Sequence, residues 1–191
     1  GDEVAGALGP DVRCVWQREQ KGTGHAVMQA ESALGTYTGP VLIACGDVPL
    51  IRPSTFSSMA AEASLAGVRG VVLGMVPGDP HGYGRLVRDS EGGLERIVEE
   101  RDATDAQRRI AEVNTGTYMF HARDLFDGLK TITTDNAQGE YYLPDVVGYI
   151  RSTGGEVRTI LLEDAIEGSG VNTPEELRRL EEAFGRMTAE R

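Results

Sequence analysis

The sequence predicts an α/β fold: a mostly parallel sheet with helices on both faces. Three observations carry that expectation. Strand-like apolar runs alternate with helix-like patterns from the first residues onward, giving a βαβαβ order whose parallel strands need crossover helices. Two of the runs, Pro40–Cys45 and Gly70–Val76, are apolar almost throughout, as strands covered on both faces are. At 191 residues the chain is long enough for one core. A domain of that length buries roughly 70% of its unfolded surface and needs no disulfide or metal staple.

In order, Val12–Gln17 is expected as a strand, His25–Leu34 as a helix and Pro40–Cys45 as a buried strand. Ser54–Ala66 is expected as a helix, because Phe56, Met59, Ala60 and Ala63 recur at helical spacing on one face. Gly70–Val76 is the next buried strand. Arg85–Arg88 and Leu94–Glu99 are short strands separated by Asp89-Ser90-Glu91-Gly92-Gly93, a hairpin signal. Val113–Phe120 is a further strand, Pro144–Ser152 a helix and Val157–Glu163 a late strand. The last helix has the best-marked start: Thr173 at the cap, Pro174 at the first helical position and Glu176 three residues on, a capping box. Leu177, Leu180, Phe184 and Met187 form the apolar stripe by which that helix should dock.

Composition narrows the partners. Apolar residues make up 40% and charged residues 26%, ordinary globular usage that excludes a disordered chain. A net charge of −11 repels phosphate backbones and anionic bilayers, so neither nucleic acid nor a membrane is an expected partner. A nucleotide is still acceptable where a metal or local donors offset its phosphates. No run approaches the ~18 apolar residues of a membrane span and no signal peptide is recognisable, so the expected compartment is the cytoplasm. Cys14 and Cys45 lie in apolar stretches and are expected as buried, reduced thiols.

Among the motifs, Gly22-Thr23-Gly24-His25-Ala26-Val27 follows a strand and opens a helix, but Val27 holds the place of the third glycine of a dinucleotide fingerprint. What survives is a turn of small residues whose N–H groups are free for an acceptor. A Walker-type loop is excluded, because neither Lys21 nor Lys130 follows a glycine. His25, His81, His121 and the two cysteines lack zinc-ligand spacing, and no nucleophile elbow supports a triad. The run Val41-Leu42-Ile43-Ala44-Cys45-Gly46-Asp47-Val48-Pro49-Leu50 presents Asp47 directly beyond a buried strand. That is where open α/β sheets place ligands, and a carboxylate there suits Mg²⁺; a plain turn aspartate is the alternative. Gly82-Tyr83-Gly84-Arg85 permits close backbone approach. Glu99 and Asn114 supply an acceptor and a two-way amide suited to sugar hydroxyl and acetamido groups. Asp135–Tyr142 is a polar loop ending in two aromatics, a candidate binding wall.

Taken in register, Gln17…Gly22-Thr23-Gly24-His25-Ala26, Gly46-Asp47-Val48-Pro49-Leu50, Gly82-Tyr83-Gly84-Arg85, Ile97-Val98-Glu99…Asp102-Ala103, Asn114-Thr115-Gly116, Asn136–Tyr142 and Gly170-Val171-Asn172 point to one family. Through nearly its whole length the chain resembles the uridylyltransferase domain of bacterial bifunctional N-acetylglucosamine-1-phosphate uridylyltransferase/glucosamine-1-phosphate acetyltransferases. The resemblance implies a Rossmann-like nucleotidyltransferase (nucleotide-diphospho-sugar transferase) fold. It also implies formation of UDP-N-acetylglucosamine and pyrophosphate from UTP and N-acetylglucosamine-1-phosphate, with Mg²⁺ as cofactor.

By the same resemblance Gln17, Gly22 and Thr23 contact the uracil, and Asp47 and Asn172 hold Mg²⁺. Cys45 and Gly46 lie beside the ribose and phosphates. Gly84, Glu99 and Asn114 bind the N-acetylglucosamine part, with Glu140 and Tyr142 lining that pocket. The family pattern opens with a strand and a glycine-rich loop bearing Arg and Lys, and this sequence starts near its second or third strand. The expectation is an N-terminally truncated domain over 1–172 and a helix over 173–191 that leads, in the family, to a β-helical acetyltransferase. A homo-oligomer is expected only with that second half. A nucleotidyltransferase for another hexose-1-phosphate, or a non-catalytic nucleotide-sugar-binding remnant, are the alternatives.

Overall fold

The computed structural model describes residues 2–189. The chain runs α1 (Asp2–Ala7), α2 (Thr23–Met28), α3 (Glu31–Leu34), β1 (Pro40–Ile43), α4 (Pro53–Ala63), β2 (Val68–Met75), β3 (Arg85–Arg88) and β4 (Leu94–Val98). It continues through α5 (Asp105–Arg108), β5 (Val113–His121), α6 (Ala122–Leu129), α7 (Asp145–Ser152), β6 (Glu156–Leu161), a 3₁₀ turn (Ala165–Gly168) and α8 (Pro174–Ala189). The Thr173–Glu176 box starts α8 as the sequence predicts, whereas α4, expected over Ser54–Ala66, begins one residue earlier with a proline at its first position. Thr173 Oγ1 accepts from Glu176 N at 3.2 Å, and Glu176 Oε2 accepts from Thr173 N at 2.9 Å.

The strands form one sheet in the order β4-β3-β5-β2-β6, with β1 on the same edge of β5 as β3. The period-2 alternation of β2 and β5 divides two cores. Val72, Tyr118 and Phe120 face α6 and α7 (Leu125, Leu129, Val146, Val147, Ile150), whereas Val71, Leu73 and Met119 face Met59 and Ala63 of α4. Helices therefore cover both faces, as expected. Full burial of each such side chain contributes about 1.5–3 kcal/mol.

The parallel pairing expected of the sheet is only partly present. β1, β2, β3 and β6 share a direction, but β5 runs against them between β1 and β2, so β2–β6 is parallel and the other four pairings are antiparallel. Alternation along the first half of the chain cannot announce that a later strand will insert.

Five local expectations are corrected. Pro40–Cys45, expected as a buried strand, pairs only with β5 among the described residues and none of its residues is buried, Leu42 being exposed, because an outer strand is not covered on both faces. Val12–Gln17 joins no ladder, and Val12, Val15 and Trp16 are exposed; an apolar run becomes a strand only where an edge is available to pair its backbone. Cys14 is consequently exposed, and Cys45 is half-buried. The His25–Leu34 helix begins at Thr23 and divides at Gln29–Ala30, whose N–H groups donate three residues back, to Ala26 O (3.2 Å) and Val27 O (2.9 Å). In α8 the docked face is Leu180, Ala183 and Met187, packed with Leu50, Ile166 and Val171, while Leu177 and Phe184 are exposed.

Candidate active site

A cavity of about 270 Å³ opens where β1 ends and β5 begins. Five segments contribute to it: Thr23 and Val27 from α2, Cys45 beyond β1, Glu99 beyond β4, Asn114 and Tyr118 from β5, and Pro144 before α7. Four of the sequence-predicted residues, far apart in the chain, thus share one wall. Asn114 is buried and half-committed. Its Nδ2 donates to the Tyr118 hydroxyl at 2.5 Å and its Oδ1 accepts from Gly116 N at 3.1 Å. That leaves one N–H and one lone pair for a ligand. Burial pushes the Tyr118 phenol far up, so it stays protonated.

Gly84 explains how Glu99 reaches the cavity. Its carbonyl accepts from Asn114 N at 2.8 Å, and a Cβ there would stand 3.2 Å from both Glu99 Oε1 and Ile97 Cγ2. Burial pushes the Glu99 carboxyl above the usual carboxylate range, with the nearby Asp145 and then Asp102 adding to the shift. Asp145 is itself raised, by burial and then by Asp102. Behind Glu99 a second cavity of about 250 Å³ contains Asp102, Asp145 and Tyr142. Tyr142 donates to Asp102 Oδ2 at 3.1 Å and accepts from Gln138 Nε2 at 2.9 Å, while Asp102 Oδ1 accepts from Ala137 N at 2.8 Å. Asp102 therefore pins the polar loop, a role that no spacing in the sequence announces.

The turn before α2 is stapled to that loop. Gly24 N donates to Tyr141 O (2.8 Å) and Tyr141 N donates to Lys21 O (2.9 Å). Gly22, at φ 96° and ψ 176°, lies so close that a Cβ would meet Tyr141 O at 2.7 Å and Glu140 Cβ at 2.8 Å. Gln17 Nε2 donates to Gly22 O and approaches His25 Nδ1, both at 3.0 Å, and Thr23 Oγ1 accepts from Leu143 N at 3.1 Å. Gln17, Gly22, Thr23 and Glu140 thus form one contiguous patch beside the cavity.

Asp47 and Asn172 are exposed and come from loops that meet: Val171 N donates to Asp47 O at 2.8 Å. Asn172 is fixed in turn by α8, its N–H donating to Glu176 Oε2 at 2.6 Å, the bond that, foremost, holds the Glu176 carboxyl below its usual range. Burial raises the Cys45 thiol, and the Asp47 charge adds to it, which keeps the sulfur protonated beside Gly46. Burial likewise raises the Tyr83 phenol, followed by Glu176, against a hydrogen bond from Gly170 N–H; the Gly82–Gly84 turn therefore reaches this corner as well. Among the described residues no three His, Cys, Asp or Glu side chains gather as a metal site. A carboxylate and an amide oxygen on adjoining loops are nonetheless a donor set that fits Mg²⁺, which takes one or two protein oxygens and completes its shell with phosphates and water.

A sheet covered on both faces, with a cavity at the ends of β1 and β5 lined by a few convergent polar groups, defines the class: an α/β protein with a candidate ligand site at its strand ends. The nucleotidyl transferase family matches residues 3–165, and the chain belongs to it. It is similar to the "Bifunctional protein GlmU" of Oceanobacillus iheyensis, 44% identical over 171 residues, covering 90% of this chain and 38% of that protein. The GlmU of Halalkalibacterium halodurans is 43% identical over 189 residues, 99% of this chain and 42% of that protein. The chain thus spans well under half the length of these relatives. A crystal structure of UDP-glucose pyrophosphorylase complexed with UDP-glucose shares the fold, with a TM-score of 0.67 over 90% of this chain and 64% of that one, at 16% identity. Among the described residues no helix is long and apolar enough to cross a membrane.

Proposed function

We propose that the chain is the uridylyltransferase part of such a bifunctional protein, with residues 1–172 as the nucleotidyltransferase domain and 173–191 as the helix that follows it. Its substrates are UTP and N-acetylglucosamine-1-phosphate, its products UDP-N-acetylglucosamine and pyrophosphate, and its compartment the cytoplasm, where cell-envelope precursors are built. The observation that carries this reading is the convergence of Thr23, Cys45, Glu99 and Asn114 on one cavity.

A phosphate oxygen of the sugar phosphate attacks the α-phosphorus of UTP. The new P–O bond joins UMP to the sugar phosphate, and the bond to the bridging oxygen breaks as pyrophosphate leaves with its electron pair. Such a displacement needs positioning and charge stabilisation rather than a side-chain nucleophile. Gln17, Gly22 and Thr23 hold the uracil. Cys45 and Gly46 flank the ribose and phosphates. Gly84, Glu99 and Asn114 orient the sugar, with Glu140 and Tyr142 behind them. When bound, Mg²⁺ held by the Asp47 and Asn172 oxygens supplies the positive charge that offsets the phosphates in an acidic protein.

Calorimetric titration of the chain with UDP-N-acetylglucosamine, with and without Mg²⁺, tests the assignment, with UDP-glucose as control. Selective binding that Mg²⁺ strengthens is expected. Equal binding of UDP-glucose would overturn the choice of sugar, and no binding by a cooperatively folded chain would overturn the site.

A further inference from the structure

Glu167 belongs to none of the sequence motifs, yet its carboxylate is only 4% exposed. A buried charge is tolerated only when hydrogen-bonded and paired. Here Oε1 accepts from Arg52 N at 3.0 Å and from the Thr55 hydroxyl, while Oε2 lies 3.4 Å from Arg52 Nε. All these partners stand at the start of α4. Arg52 occupies the N-cap of that 11-residue helix and provides no side-chain cap of its own. A carboxylate 115 residues further along the chain fills that role and meets the positive end of the helix.

The two segments tied by this contact are those that carry the acidic and amide oxygens discussed above. Asp47 lies just upstream of Arg52, and Asn172 just downstream of Glu167. Leu50, Ile166 and Val171 pack together between them, and Val171 N closes the far end on Asp47 O at 2.8 Å. We propose that Glu167 is a positioning residue for the Asp47–Asn172 pair: its buried carboxylate locks the 165–172 segment onto the start of α4 and keeps the two loops in one register. The proposal rests on the reading of Asp47 and Asn172 as the metal-holding pair.

Two readouts on Glu167→Gln test it, neither of them turnover. The first is hydrogen exchange of the Val171 amide without metal, expected about tenfold faster than in the wild type, since a hydrogen bond to a charged group is being weakened. The Gly24 and Tyr141 amides, bonded on the far side of the cavity, keep their wild-type rates; a purely global destabilisation would move all three. The second is the Mg²⁺-dependent gain in affinity for UDP-N-acetylglucosamine, expected to fall about tenfold while Mg²⁺-free affinity is kept. Thr55→Val, which removes one donor and no charge, shifts both readouts in the same direction by less, and it serves if Glu167→Gln does not fold. An unchanged Val171 rate overturns the proposal, as does an undiminished Mg²⁺ gain. A wild type that binds the nucleotide sugar but gains nothing from Mg²⁺ overturns the metal pair and this proposal together.

Discussion

Gly22→Ala tests how the nucleotide-side turn is held. At φ 96° and ψ 176° Gly22 occupies a region open essentially to glycine alone, and a side chain there costs about 1–3 kcal/mol. The obstacle is also spatial: the new Cβ would stand 2.7 Å from Tyr141 O and 3.0 Å from Tyr141 N, and neither backbone atom can swing aside as a side-chain tip can. Relief comes from parting the turn from the loop, which stretches the Gly24 N–Tyr141 O and Tyr141 N–Lys21 O bonds, each contributing about 1 kcal/mol net. The expected loss is therefore about 3–5 kcal/mol, read from urea midpoints at constant m-value. Gly46→Ala is the control. Nothing lies within 4 Å of its Cβ, and its stability should stay within about 0.5 kcal/mol of the wild type. A Gly22→Ala loss below about 1 kcal/mol would refute the close-approach reasoning.

Three further outcomes follow from the same geometry. Asn114→Ala strands the buried Tyr118 hydroxyl and should cost about 1–3 kcal/mol, part of it regained in Asn114→Ala/Tyr118→Phe; fully additive losses in a double-mutant cycle would contradict the pairing. Because burial, Asp145 and Asp102 raise the Glu99 carboxyl, the folded chain retains a proton that the unfolded chain has released between the ordinary and the raised value. Stability should fall as pH rises above the ordinary glutamate value of about 4.3 toward the raised one, and Glu99→Gln should flatten the slope of the urea midpoint there; a wild-type slope in the variant would count against it. Gly148→Ala, exposed within α7 with nothing within 4 Å of its Cβ, should stabilise by about 0.5–1 kcal/mol in the same assay, and a loss would mean the helix interior is misassigned.

Local chemistry was readable in the sequence, and long-range pairing was not. The Thr173–Glu176 box and the β3–β4 hairpin are fixed by neighbours within a few residues, so their signals are complete in the chain. Val12–Gln17 has the right residue types for a strand but no edge to pair with, and periodicity carries no information about edges. In α8 the stripe was correct in period and partly wrong in phase: Leu177 and Phe184 point away, because Leu50 and Ile166 meet the Leu180–Ala183 face instead. Motif words found Glu99, Asn114 and Cys45 for the cavity. They passed over Tyr118 and Glu167, whose importance comes from being buried with hydrogen-bond partners, and they included Asp102 without its role in pinning the loop.

The place of β5 also dictates the order in which the chain can assemble. β5 lies between β1 and β2 and pairs with both, so a nascent chain that has released both still lacks the strand that joins them until residue 121 is free. Two apolar strands then wait with open edges while some fifty further residues emerge, at a synthesis rate of roughly 5–20 residues per second. Contacts this distant in sequence make for slow folding, and exposed edges in the meantime invite pairing between chains. Refolding yield should therefore fall with protein concentration, and ribosome-bound chains that end before Val113 should be bound by chaperones more tightly than those that end beyond His121.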